Sequence, residues 1–102
     1  MKKIINGKMY NTETAKYIAC FDNGLPHNDS NYCYEELYRK KTGEFFLCGE
    51  GGATSAYCEY LGDGWRAYGH DIIPLELYEA KEWAENHLSV ERYIEVFGEV
   101  EE

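Results

Sequence analysis

The stretch Tyr32-Cys33-Tyr34-Glu35-Glu36-Leu37-Tyr38-Arg39-Lys40-Lys41-Thr42-Gly43-Glu44-Phe45-Phe46-Leu47-Cys48 decides the fold class. Tyr32–Lys40 is rich in aromatic residues and ends in the polar run Lys40-Lys41-Thr42-Gly43, and Glu44–Cys48 resumes with three large apolar side chains. Two such segments around a glycine read as a β-hairpin with Gly43 in the turn. Adjacent phenylalanines must face opposite sides of a strand. Either both faces of this sheet are covered, or one of the rings of Phe45 and Phe46 lies at the surface.

Upstream, Lys2–Ile5 and Lys8–Tyr10 flank Asn6-Gly7, the pair best suited to the positive φ angles of a type I′ turn, and form a second hairpin. Thr12 is placed to cap a short helix in which Ala15, Ile18 and Ala19 recur at helical spacing, and Asn23-Gly24 is its stop signal. Leu25–Asn31 is loop-like. Downstream, Gly49-Glu50-Gly51-Gly52 breaks the strand. Thr54 starts a short helix bearing Tyr57, Tyr60 and Leu61 that Gly62 closes. Asp63-Gly64 turns the chain into a strand over Trp65–Ile73.

Pro74 marks a helix start, where its missing N–H is harmless. Leu75–Leu88 then carries Ala80, Trp83, Ala84 and Leu88 on one stripe and Glu79, Glu82 and Glu85 on the other side. Ser89 caps a last helix with Val90, Tyr93, Ile94 and Phe97 inward and Glu91 and Glu95 outward. Gly98 ends it. Strands and helices without regular βαβ alternation imply an α+β fold, a small, mostly antiparallel sheet with a C-terminal helix pair packed on it. One domain over residues 1–98 and an acidic tail over 99–102 are expected, with Trp83 as the central core anchor.

The chain has 102 residues, 44% hydrophobic and 16% aromatic, which is enough for one core. Its formal net charge is −9. Such a surface disfavours direct contact with nucleic acid or anionic lipid and favours a basic partner, although charge of this kind also serves solubility. No run approaches the length of a membrane span. The opening residues lack the apolar segment of a signal peptide, so a cytosolic (cytoplasmic) setting with reduced thiols is expected for Cys20, Cys33, Cys48 and Cys58.

No C-x-x-C or H-x-x-x-H pair suggests zinc, and no metal or cofactor is expected. The Gly49–Gly52 loop lacks the Lys-Ser/Thr pair of a nucleotide loop and carries Glu50 where phosphate would be repelled, so a strand exit is the better reading. Ser55, Cys58 and His70 have no nucleophile-elbow context, and His27, His70 and His87 are scattered. No enzymatic activity is expected.

The charge is unevenly spread. Residues 76–102 hold nine acidic against two basic residues, net −7, whereas residues 1–75 hold ten against eight, net −2. The ordinary role of Glu79, Glu82 and Glu85 is a solvated helix face. The asymmetry supports a sharper reading, in which these residues with Glu91 and Glu95 imitate a phosphate track for a basic protein groove. Tyr78 would add an apolar contact.

Several stretches together resemble a family of small acidic proteins of Gram-positive bacteria, their prophages and other mobile elements. They are Ile4-Ile5-Asn6-Gly7-Lys8, Tyr10-Asn11-Thr12, Thr14-Ala15, the run from Glu36 to Leu47, Gly49–Gly52, Ile72-Ile73-Pro74-Leu75 and Glu79-Ala80-Lys81-Glu82-Trp83-Ala84. In size, charge and genomic setting that family resembles inhibitors of CRISPR effectors and other host defences. The resemblance implies an anti-CRISPR-type phage protein, a DNA mimic that binds a basic host nucleic-acid-binding protein, above all a CRISPR effector. It transfers no contact residue. Trp65-Arg66-Ala67-Tyr68-Gly69 departs from the family pattern and is the candidate variable contact surface. The competing expectation is a housekeeping or regulatory protein-interaction module that uses its tyrosine-rich sheet, with a homodimer as one form.

Overall fold

Two adjacent aromatic residues on one strand put a ring on each face of the sheet, and the fold covers both. The computed structural model describes residues 1–102. Four antiparallel strands form the central sheet: β3 (Lys16–Asp22), β4 (Cys33–Arg39), β5 (Phe45–Gly51) and β8 (Gly69–Leu75), in the order β3-β4-β5-β8. Two separate hairpins flank it, β1 (Lys2–Ile5) with β2 (Lys8–Asn11), and β6 (Glu59–Gly62) with β7 (Trp65–Ala67). Helices α1 (Leu77–His87) and α2 (Val90–Phe97) complete the chain. The architecture is the expected α+β fold with a mostly antiparallel sheet and a C-terminal helix pair. No helix is long and apolar enough to cross a membrane.

Both sheet faces are covered. On one, Ile18, Leu37, Phe45 and Leu47 pack against Ala80 and Trp83 of α1, with Val96 and Phe97 of α2 at the margin. On the other, Phe46, Tyr38 and Ile72 pack against Tyr10 of the N-terminal hairpin. The Phe46 ring meets Tyr10 edge-on at 5.5 Å and stacks on Tyr38 at 5.3 Å, the offset and edge geometries aromatic quadrupoles favour. Trp83 is the buried anchor that its place on the helix stripe implied.

Both Asx-Gly turns behave as read: Asn6 and Gly7 have φ of 50° and 77°, and Asp63 and Gly64 have φ of 50° and 80°.

The expected helix after Thr12 is a strand, β3. Asn11 through Ala15 form a turn in which the Asn11 side chain accepts from the Glu13 N–H at 2.9 Å. The register of β3 slips between Tyr17 and Ala19, a β-bulge that puts Ile18 and Ala19 against the same core. That local doubling imitates helical spacing.

The glycine run does not break β5, which continues to Gly51 paired with Gly69. Its glycines are needed for close approach. A Cβ at Gly49 would fall inside the Tyr57 ring, and one at Gly52 would meet the Asp29 and Ser30 backbone. The expected helix over 54–62 is a turn, in which Ser55 donates to the Gly52 carbonyl at 2.7 Å, followed by β6. The strand expected over Trp65–Ile73 is split into β7 and β8 at Tyr68. Pro74 lies inside β8 opposite Phe46 rather than at a helix start. As the outermost strand, β8 admits a proline where an inner strand would not. Helix α1 accordingly begins at Leu77, and Ser89 caps α2 as read, its hydroxyl accepting from the Arg92 N–H at 3.1 Å.

Candidate functional site: an acidic helix pair and an aromatic hairpin

The helix pair is held to the sheet by Trp83, Ala80 and Phe97 and by Arg92, whose guanidinium donates to the Ile18 carbonyl at 2.7 Å. This bond satisfies a carbonyl at the β3 bulge and fixes α2 over the sheet edge. The carboxylates on the two helices are therefore presented from a fixed support.

The expected site residues divide into two groups. Glu82, Glu85 and Glu91 are exposed, and no cation or donor of the chain neutralises them. Tyr78 is exposed beside them on α1. Glu79 is half-buried and faces inward along its own helix, its carboxylate accepting from the Glu76 N–H at 2.8 Å. It ties down the N-terminus of α1 and is not a free outward charge. Glu95 is exposed but paired with Arg92 at 2.8 Å. Of the residues assigned inward on α2, Val90 is instead 72% exposed, while Tyr93 and Ile94 are half-buried and no residue of that helix is fully buried.

Trp65–Gly69 was expected as a variable contact surface, but Tyr60 and Leu61 were assigned to a helix, and the structure places them instead on one exposed hairpin with Trp65, β6–β7. Tyr60 is 71% exposed and Trp65 72%, with Leu61 beside them, and the Arg66 guanidinium lies 5.3 Å from the Tyr60 ring centre. Tyrosine, tryptophan and arginine are the side chains that dominate protein interfaces. The available signal was the Asp63-Gly64 turn flanked by Tyr60 and Trp65.

The tyrosine-rich sheet turns most of its rings inward. Three sheet carboxylates are each held by a pair of aromatic donors. Glu35 accepts from the Tyr57 hydroxyl at 2.6 Å and the Trp83 indole N–H at 3.1 Å. Glu36 accepts from Tyr34 at 2.9 Å and Tyr38 at 3.1 Å. Glu50 accepts from Tyr32 at 3.1 Å and from Tyr68. Burial, reinforced by these carboxylates, pushes the Tyr32 and Tyr38 hydroxyls up to about 12 and raises Tyr57 as well. These tyrosines are structural donors.

The four thiols are free, and burial pushes Cys33 up to about 11, away from thiolate chemistry. No three His, Cys, Asp or Glu side chains gather closely enough to hold a metal ion. His27 stacks on Tyr32 at 4.5 Å and His87 on Phe21 at 4.0 Å, so both rings are packing groups. No protein-family model, curated protein or solved structure matches the chain.

Proposed function

We propose that the chain is a protein-binding inhibitor of the anti-defence type, encoded by a phage or mobile element. It engages a basic nucleic-acid-binding host protein, with a CRISPR effector as the expected class, and blocks that protein's nucleic-acid or assembly surface. The observation that carries this reading is the set of exposed, unneutralised carboxylates Glu82, Glu85 and Glu91, borne by helices docked on a rigid sheet within a segment of net charge −7. Pre-positioned negative charge accelerates encounter with a positive groove, and apolar neighbours such as Tyr78 slow dissociation.

The test is capture of partners from a host with active defence systems, followed by phage infection of that host with and without the protein. A nucleic-acid-binding protein is recovered, its nucleic acid competes, and binding weakens as salt rises. The triple variant E82Q/E85Q/E91Q loses most of that salt dependence. Recovery of no nucleic-acid-binding protein together with no protection of phage defeats the proposal.

A second reading, an interaction module of housekeeping or regulatory type, is favoured by the exposed Tyr60, Leu61 and Trp65. Binding through that hairpin would be nearly insensitive to salt and abolished by Trp65→Ala.

A further inference from the structure

Helix α2 is apolar along much of its length, yet none of its residues is fully buried. Its Val96 and Phe97 reach the core, and Arg92 reaches β3, while the side that carries Val90, Tyr93 and Ile94 is only partly covered. That side opens onto a cleft of about 720 Å³ between the end of α1, the start of α2 and the C-terminal tail. Leu88, Tyr93, Ile94 and Val100 supply its apolar lining. Glu85, Glu99, Glu101 and Glu102 supply its charge, and no lysine or arginine lines it. The volume lies within the range of roughly 300–1,000 Å³ typical of ligand clefts.

We infer that this cleft is a docking groove for a basic amphipathic segment of the partner, a helix with apolar side chains on one stripe and lysines or arginines beside it. The occupant is fixed by two complementarities. An apolar floor selects apolar side chains, since burying lysine or glutamate there without a partner would be costly. A wholly acidic rim selects cations on either side of that stripe and repels acidic chains. A second copy of this chain is a poor occupant for the same reason, because each copy carries net charge −9 and would bring like rims together. The inference deepens the proposed function by naming the kind of segment recognised, and it rests on that reading for the partner being basic.

The groove is tested on the full chain with a labelled peptide of leucine and lysine, leucines at helical spacing, followed by fluorescence anisotropy. The same peptide with glutamate replacing lysine is the control. Val90 and Val100 both line the cleft and both are exposed, so V90S/V100S leaves the core intact, which a thermal melt verifies. The basic peptide binds, the acidic one does not, and V90S/V100S weakens binding about tenfold. E82Q/E91Q, whose carboxylates lie outside the cleft, weakens it far less than E85Q/E99Q. Equal binding to the parent chain and V90S/V100S, or equal loss in the two charge variants, overturns the groove and leaves only diffuse charge attraction. Self-association by light scattering that V90S/V100S abolishes also overturns it. The peptide assay contains no host protein, so its failure beside successful capture of a nucleic-acid-binding partner removes the groove and leaves the inhibitor reading standing.

Discussion

Replacing Tyr57 by phenylalanine removes one oxygen atom from a ring that is 98% buried, and the structure assigns that atom a specific job. The Tyr57 hydroxyl and the Trp83 indole N–H converge on the two oxygens of Glu35, at 2.6 and 3.1 Å. The three residues belong to a loop, to α1 and to β4, so the carboxylate joins elements 22 and 48 residues apart in sequence. A hydrogen bond to a charged group contributes about 1.5–3 kcal/mol. Glu35 is half-buried and water replaces part of what is lost, so the expected cost of Tyr57→Phe lies at the lower end, about 1.5–2 kcal/mol. The ring stays in its slot over Gly49, so the only void left is that of one oxygen atom.

Urea denaturation measures the cost as a shift in midpoint at unchanged slope. For a domain of this size each kcal/mol also moves the melting temperature by about 4–8 °C. Trp83→Phe removes the other donor, and its larger cost contains a packing component. The double variant separates the two contributions. With both donors gone Glu35 has lost its direct partners, so the two losses are non-additive by at least ~0.5 kcal/mol. If Tyr57→Phe stays within about 0.5 kcal/mol of the parent chain and the cycle closes additively, Glu35 is solvated equally well without its donors. The carboxylate would then join nothing.

Two further outcomes follow from the same packing. Gly49→Ala drives a Cβ against the Tyr57 ring and destabilises the fold by about 1–3 kcal/mol in urea, whereas the same substitution made in a Tyr57→Ala background, itself less stable than the parent, adds much less. The tyrosine hydroxyls give a pH dependence of definite sign. Burial and carboxylate neighbours raise Tyr32 and Tyr38 to about 12 in the folded chain, against about 10 when unfolded. The unfolded chain therefore loses these protons first. Their contribution is present below pH 10 and lost as pH rises through 12. Denaturation midpoints measured across that interval fall steeply, and a phenolate absorbance rise that tracks unfolding for these two groups is the corroborating signal. A flat stability profile across that window contradicts the assignment.

The parts of the fold that local chemistry determines were legible in sequence. Asn6-Gly7 and Asp63-Gly64 specify turns because the required positive φ values are ones that few other residues tolerate. Ser89 and Gly98 bracket α2 for equally local reasons. The misread segments are those whose meaning depends on distant neighbours. Gly49–Gly52 can mark a turn or a close approach, and only Tyr57 and the Asp29–Ser30 backbone decide between them. The bulge at Ile18 placed consecutive side chains on one face, which no alternating pattern reveals. At the site, the exposure of Glu82, Glu85 and Glu91 follows from helical periodicity. The role of Glu79 was hidden because Pro74 pointed to a helix start three residues before the real one, and the cap position of a glutamate depends on that boundary. Glu35 was invisible as a partner of Trp83, since nothing local links β4 to α1.

The distribution of cations connects this packing to the charge that faces outward. Lys3 pairs with Asp71 at 2.5 Å and Lys8 with Glu44 at 2.9 Å, ion pairs that fasten the N-terminal hairpin to the sheet. Lys40 lies 3.6 Å from the Tyr10 ring centre and Arg39 5.3 Å from that of Phe45, so their charges rest on aromatic faces near the hairpin turn. Arg92 is committed to the β3 bulge and to Glu95. These five cations thus serve the assembly of the sheet and its two covers, and of the ten in the chain only Lys81 and Arg92 belong to the C-terminal segment. Exposed ion pairs of this kind contribute little individually to stability. Their placement has a larger consequence for binding, since it leaves Glu82, Glu85 and Glu91 and the carboxylates of the tail without internal counter-charges, Glu95 alone being paired among the outward carboxylates of α2. The N-terminal part of the molecule is therefore near charge balance, net −2, while the helical end carries net −7, with the partly covered apolar side of α2 at that same end.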